Sequence, residues 1–93
     1  MYSISKDEFE RHWPALPVNM WHLLRNNIRP YLSQETRIHN ACYMVGAASV
    51  YRELGTISQE TYTFLLALIG ETERAGLWCG HIKERAAADK AEG

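Results

Sequence analysis

The same four-residue cap appears twice, as Ser33-Gln34-Glu35-Thr36 and Ser58-Gln59-Glu60-Thr61. A serine hydroxyl ahead of a helix accepts a backbone N–H of the first turn, and an acid in that turn meets the positive end of the helix dipole. Gly55 closes the first of the two stretches, because glycine adopts the left-handed conformation on which helices end. Ile57 stands before the second cap, placed to pack on Tyr62 as a hydrophobic staple. Together these signals predict a helical hairpin over about 34–54 and 59–75, with the rest of the chain arranged around it. The residues flanking the two tetrads do not align, so the repetition is a reused cap and not a duplication.

Within the second hairpin helix, Tyr62, Phe64, Leu65, Leu66, Ala67, Leu68 and Ile69 are apolar on nearly every side, which predicts the most buried element. In the first, Ile38, Ala41, Cys42, Val45, Ala48 and Ser49 follow helical spacing and are expected to face the core. Gly46-Ala47-Ala48-Ser49 keeps side chains small for a close helix approach, at about 1 kcal/mol for Gly46 relative to Ala.

Upstream, Ile4, Ser5, Glu8 and Phe9 make a capping box with a staple, predicting a short helix over about 6–13 with Phe9 and Trp13 on one face. Pro14 and Pro17 end it and restart the chain, Pro17 suiting a first helical position. Met20, Leu23, Leu24 and Ile28 form the stripe of the next helix, with Trp21 at its edge. Arg29 precedes Pro30 and is biased away from the helical region, so that helix should stop near Ile28 or kink. The glycine-bracketed stretch 76–82 reads equally as a turn or a helix start. Residues 83–92 have helix propensity but few apolar anchors, so 86–93 are expected to fray. No period-two alternation persists anywhere, and the predicted fold is an all-α bundle of four to five helices in a single domain, 1–93.

Ninety-three residues with 46% hydrophobic content suffice for one core. The longest unbroken apolar run, Phe64 to Ile69, falls far short of the roughly 18 residues of a membrane span. The opening residues lack the basic-then-apolar order of a secretory signal, and a cytoplasmic protein without membrane contact is expected. In that reducing compartment Cys42 and Cys79 should be free, mostly buried thiols. A net charge of −1 gives no global attraction to nucleic acid or anionic lipid.

Ligand types for zinc occur at His39-x-x-Cys42 and Cys79-x-His81. His39 and Cys42 can share a metal on one helix face, but Cys-x-His is not a structural-zinc half-site, so neither metal nor other cofactor is expected. The chain has no GxSxG elbow, glycine-rich phosphate loop or HExxH, and no enzyme activity is expected. A helix-turn-helix reading would send the Ser58 helix into a major groove, yet that helix is apolar and carries Glu60 in its first turn. Direct DNA binding is therefore the lesser alternative.

Between His22 and His39 three arginines, Arg25, Arg29 and Arg37, face a single acid, Glu35, while from Glu53 to Glu73 acids dominate, so a polarised molecule is expected. Arg25, Arg29, Arg37, Trp21 and Tyr31 are the candidate partner contacts, since guanidinium pairs bidentately with anionic groups and aromatics supply contact area. Solvated helix faces with snorkelling arginines are the plainer account. Trp13 and Trp78 lie in segments that periodicity does not bury and are further interface candidates.

From Ala47 to Tyr62 the chain passes from a small-residue helix through Leu54-Gly55 and Ile57-Ser58 into an acidic first turn. This run resembles the helical hairpins of small accessory proteins encoded by phages and prophages. The resemblance carries no individual functional residue; it implies a class of work, in which a host protein or protein–nucleic-acid complex, including restriction and CRISPR machinery, is bound and blocked. The expected function is a small non-enzymatic interaction module, a phage-type inhibitor such as an anti-CRISPR or anti-restriction protein, that occludes a partner surface. The alternatives are a nucleic-acid-binding regulator using the same arginines and a homodimeric accessory protein.

Overall fold

The two serine caps and the glycine stop of the hairpin are each realised as specific hydrogen bonds. The computed structural model describes residues 4–29, 31–75 and 82. Its elements run α1 (Lys6–His12), a 3-10 turn (Trp13–Ala15), α2 (Val18–Asn26), α3 (Gln34–Glu53) and α4 (Gln59–Ala75), with no strand among the described residues. Ser33 Oγ accepts from the Thr36 N–H and Ser58 Oγ from the Thr61 N–H, each at 3.1 Å. At the far end of α3 the Gly55 N–H reaches the Arg52 carbonyl at 3.0 Å and the Thr56 N–H the Tyr51 carbonyl at 2.9 Å. That pair of bonds is a complete Schellman closure, and Gly55 supplies the φ of 75° it needs.

Ser5 caps α1 in the same way, its Oγ accepting from the Glu8 N–H at 3.1 Å, while Ile4 and Phe9 are buried on either side of the cap. Pro14 does not end the chain's coiling at once: it sits in the 3-10 turn, where its missing N–H leaves no bond unmade. Pro17 is the residue before the first turn of α2, one position earlier than expected, and its carbonyl accepts from the Trp21 N–H at 3.1 Å. α2 stops at Asn26, two residues short of Ile28.

α4 is the central element. Thr61, Phe64, Leu65, Leu68, Ile69 and Thr72 are buried along it, and it packs against α3 and α1. Phe64 meets Phe9 edge-on at 6.1 Å, and Phe9 lies 6.2 Å from Trp21, which lies 5.6 Å from Trp13. Trp13, expected to be free for a partner, is half-buried against this aromatic cluster.

The buried face of α3 overlaps the expected one at Ala41 and Ala48 and departs from it at Ile38, Cys42 and Val45. Ala41, Met44 and Ala48 point into the core, with Arg37, Asn40, Ala47 and Tyr51 half-buried beside them. Ile38 and Val45 are 42% and 41% exposed, and Cys42 is an exposed free thiol instead of a buried one. The helix carries two apolar stripes about 100° apart, and the one holding the bulkier Met44 is buried. A Cβ built on Gly46 meets nothing within 4 Å, so close approach to the core is provided by the alanines and not by Gly46.

None of the described helices is long and apolar enough to cross a membrane. Trp78, Cys79, His81 and the expected frayed tail 86–93 lie outside the described residues. So does most of the ambiguous stretch 76–82, apart from Ile82, which is helical and wholly buried.

Candidate functional site

Where α2 hands over to α3, the chain is held by one asparagine. Asn27 is fully buried, and its amide nitrogen donates to the Arg37 carbonyl at 3.2 Å and to Thr72 Oγ1 at 3.1 Å, while its Oδ1 accepts from Asn40 Nδ2 at 3.0 Å. Thr72 passes its own hydroxyl proton to the Ile69 carbonyl at 2.7 Å. Both amide donors and the acceptor are used, so the network is satisfied and rigid. It joins the end of α2 to α3 and α4 directly beneath the arginine-bearing connection.

On that frame Arg29 is exposed, its guanidinium donating to Asn26 Oδ1 at 3.1 Å and to Tyr31 Oη at 3.2 Å. Tyr31 itself is 73% exposed. Arg37 donates to the Leu32 carbonyl and to Gln34 Oε1, both at 2.7 Å, and its Nε is buried with no partner among the described residues. All four acceptors are neutral oxygens. Arg25 is half-buried and engaged as well.

Of the five residues expected to meet a partner, Arg29, Arg37 and Tyr31 therefore come together at the α2–α3 connection, with Arg25 one turn back along α2. Trp21 does not join them at the surface: it is only 8% exposed, with Nε1 buried and without a partner among the described residues, and belongs to the aromatic cluster. The expected polarity is also reduced by the fold. α4 runs antiparallel to α3, so its last turn returns to the arginine end, where Gln34 Nε2 donates to the Glu73 carbonyl at 3.2 Å.

A concavity of about 400 Å³ lies between α1 and the start of α4 and is lined by Glu8, Arg11, His12, Gln59, Glu60, Thr63 and Phe64. His12 is stacked on Phe64 at 5.1 Å between ring centres, and its Nδ1 lies 3.3 Å from Thr61 Oγ1, which takes a hydrogen bond from Ser58 Oγ at 3.1 Å. This chain of polar groups ties α1 to the cap of α4. Spacing along the sequence could not reveal it, because His12 and Thr61 are 49 residues apart.

Of the expected zinc-type ligands, His39 and Cys42 are both exposed on the outer side of α3, and Cys79 and His81 lie outside the described residues. No group of three metal-binding side chains occurs among the described residues. Comparison of the chain with protein-family models, with curated proteins and with solved structures returned no match.

Proposed function

We propose that the protein is a non-enzymatic interaction module of the phage-inhibitor type, acting by laying the α2–α3 connection on an anionic patch of a host protein or protein–nucleic-acid complex. One observation carries the reading: every hydrogen bond of the Arg29 and Arg37 side chains goes to a neutral oxygen, so among the described residues neither charge is neutralised by an ion pair. A guanidinium held in place by neutral acceptors keeps its charge and loses little conformational freedom when it meets a carboxylate or phosphate. Tyr31, bonded to Arg29 and exposed, adds a flat aromatic contact of the kind that anchors interfaces. The resemblance of 47–62 to phage accessory hairpins supports the partner class.

The test is capture from bacterial lysate with the immobilised full chain, followed by mass spectrometry, comparing the wild type with Arg29→Glu combined with Tyr31→Ala. Loss of a specific partner with an unchanged far-ultraviolet spectrum is the expected result. Equal capture by both would remove the connection from the argument. Capture that collapses between low and moderate salt and requires nucleic acid would instead favour the regulator reading.

A further inference from the structure

Between Arg37 and Arg52, α3 carries no Asp, Glu, Lys or Arg, although half of that stretch faces outward. Surfaces of small domains are ordinarily about 25–35% charged, so an uncharged strip of this length is unusual. The strip has apolar flanks, with Ile38 and Val45 on one side and Tyr43, Val50 and Leu54 on the other, the last three each more than half exposed. Gly46 lies at its centre, roughly 200° round the helix from buried Met44. Nothing among the described residues requires glycine there, because an added Cβ would meet none of their atoms within 4 Å, and a glycine inside a helix costs about 1 kcal/mol relative to alanine.

We propose that this face of α3 pairs with the same face of a second copy of the chain, antiparallel, crossing at Gly46. The strip is complementary to itself in that register. Positions equally far from Gly46 on the two copies fall level, which sets Cys42 level with Val50 of the second copy, and Tyr43, on the same flank as that Val50, lies within about 2 Å of it along the axis. His39 falls level with Glu53 of the second copy, an imidazole opposite a carboxylate whose existing partner is a half-buried Arg52 at 3.9 Å. Apolar side chains meet apolar ones and the polar groups at the ends meet opposite polarity. The absent side chain at Gly46 lets the two backbones approach where they cross. A symmetric pair requires this kind of self-matching patch. One helix pair about 30 Å long and about 10 Å wide is smaller than the roughly 800 Å² per partner of a standard interface, so the dimer is a concentration-dependent one.

Light scattering and sedimentation on the full chain test the proposal. The apparent mass should rise from that of one chain, 10.7 kDa, toward twice that value as the protein goes from sub-micromolar to roughly 100 μM, above the micromolar limit of standard-sized interfaces because this one is smaller. Val50→Glu should weaken association roughly 100-fold with an unchanged circular dichroism spectrum, and Arg29→Glu should leave it as it was, which keeps this dimer separable from the partner site at the α2–α3 connection. Register is read by cross-linking. With Cys42 and Cys79 replaced by serine, Gly46→Cys should form an intermolecular disulfide under mild oxidation. Cys42 alone should not, because the two copies of that position are displaced by about 12 Å along the helices, beyond the roughly 7 Å limit for a bridge. A monomer at every concentration, a dimer unaffected by Val50→Glu, or cross-linking at 42 but not at 46 would each overturn the proposal. So would a monomer whose capture of another protein depends on Val50, since the strip would then belong to that protein.

Discussion

Asn27 Nδ2 donates to Thr72 Oγ1 at 3.1 Å across 45 residues of chain, and neither side chain has any exposed surface. The bond fixes how far α4 sits from the end of α2, and through Asn40 and the Arg37 carbonyl it also fixes the rotation of α3. Replacing Thr72 by Val keeps the shape but strands one amide donor, which should cost about 1–2 kcal/mol. Asn27→Ala strands the Arg37 carbonyl, Thr72 and Asn40 at once and should cost about 3 kcal/mol. The double variant should be clearly less destabilised than the sum of the two, because they break one shared bond. Urea unfolding of the four proteins decides it; additive losses would mean that the two side chains act independently.

That bond explains which parts of the fold were legible in the residues. The caps at Ser5, Ser33 and Ser58 and the glycine stop at Gly55 are local devices, each complete within five or six residues, and the helices they predict are present within one or two positions. The rotation of α3 is not local. Its two stripes, one through Met44 and the other through Val45, are almost equally apolar, and what selects between them lies far along the chain, in the packing on α4 and in the bonds from Asn27 to Asn40 and the Arg37 carbonyl. Trp21 was misplaced for a related reason: its neighbours in the stripe suggested an edge, but Phe9 and Trp13 arrive from another helix to cover it. The arginine cluster could be read as charge, whereas the neutral acceptors that hold it could not.

Two glycines should respond in opposite senses to the same change. Gly55 holds φ at 75°, where alanine is strained, so Gly55→Ala should lose about 1 kcal/mol. Gly46→Ala meets no atom within 4 Å and should gain about 0.5–1 kcal/mol when thermal unfolding is followed at sub-micromolar concentration. A destabilised Gly46→Ala protein under those conditions would show that the outer face of α3 is covered within the monomer.

The polar tie between α1 and α4 predicts a local effect. Thr61→Val removes the oxygen that lies 3.3 Å from His12 Nδ1 but leaves the Thr61 N–H bonded to Ser58, so the cap of α4 survives. Stability should fall by about 1 kcal/mol, and amide hydrogen exchange should accelerate over 6–12 more than over 59–75. Ser58→Ala removes the cap itself and should accelerate exchange at the start of α4 instead, at a similar cost of about 1 kcal/mol. Identical exchange patterns for the two variants would mean that the histidine bond contributes nothing separable.

The two stripes of α3 can be told apart by truncation. Met44 has no exposed surface, so Met44→Ala leaves a cavity among Ala41, Ala48 and the α4 side chains and should cost about 2–4 kcal/mol at any protein concentration. Ile38 is 42% exposed, and Ile38→Ala should cost less than about 1 kcal/mol when unfolding is measured at sub-micromolar concentration, where the chain is alone. At roughly 100 μM the same substitution should cost measurably more, because dimerisation stabilises only the folded state and truncating Ile38 weakens the pairing that supplies that stabilisation. Met44→Ala showing the smaller loss of the two would reverse the assigned rotation of α3. An Ile38→Ala cost that does not change with concentration would leave the rotation standing and remove the second copy from that face.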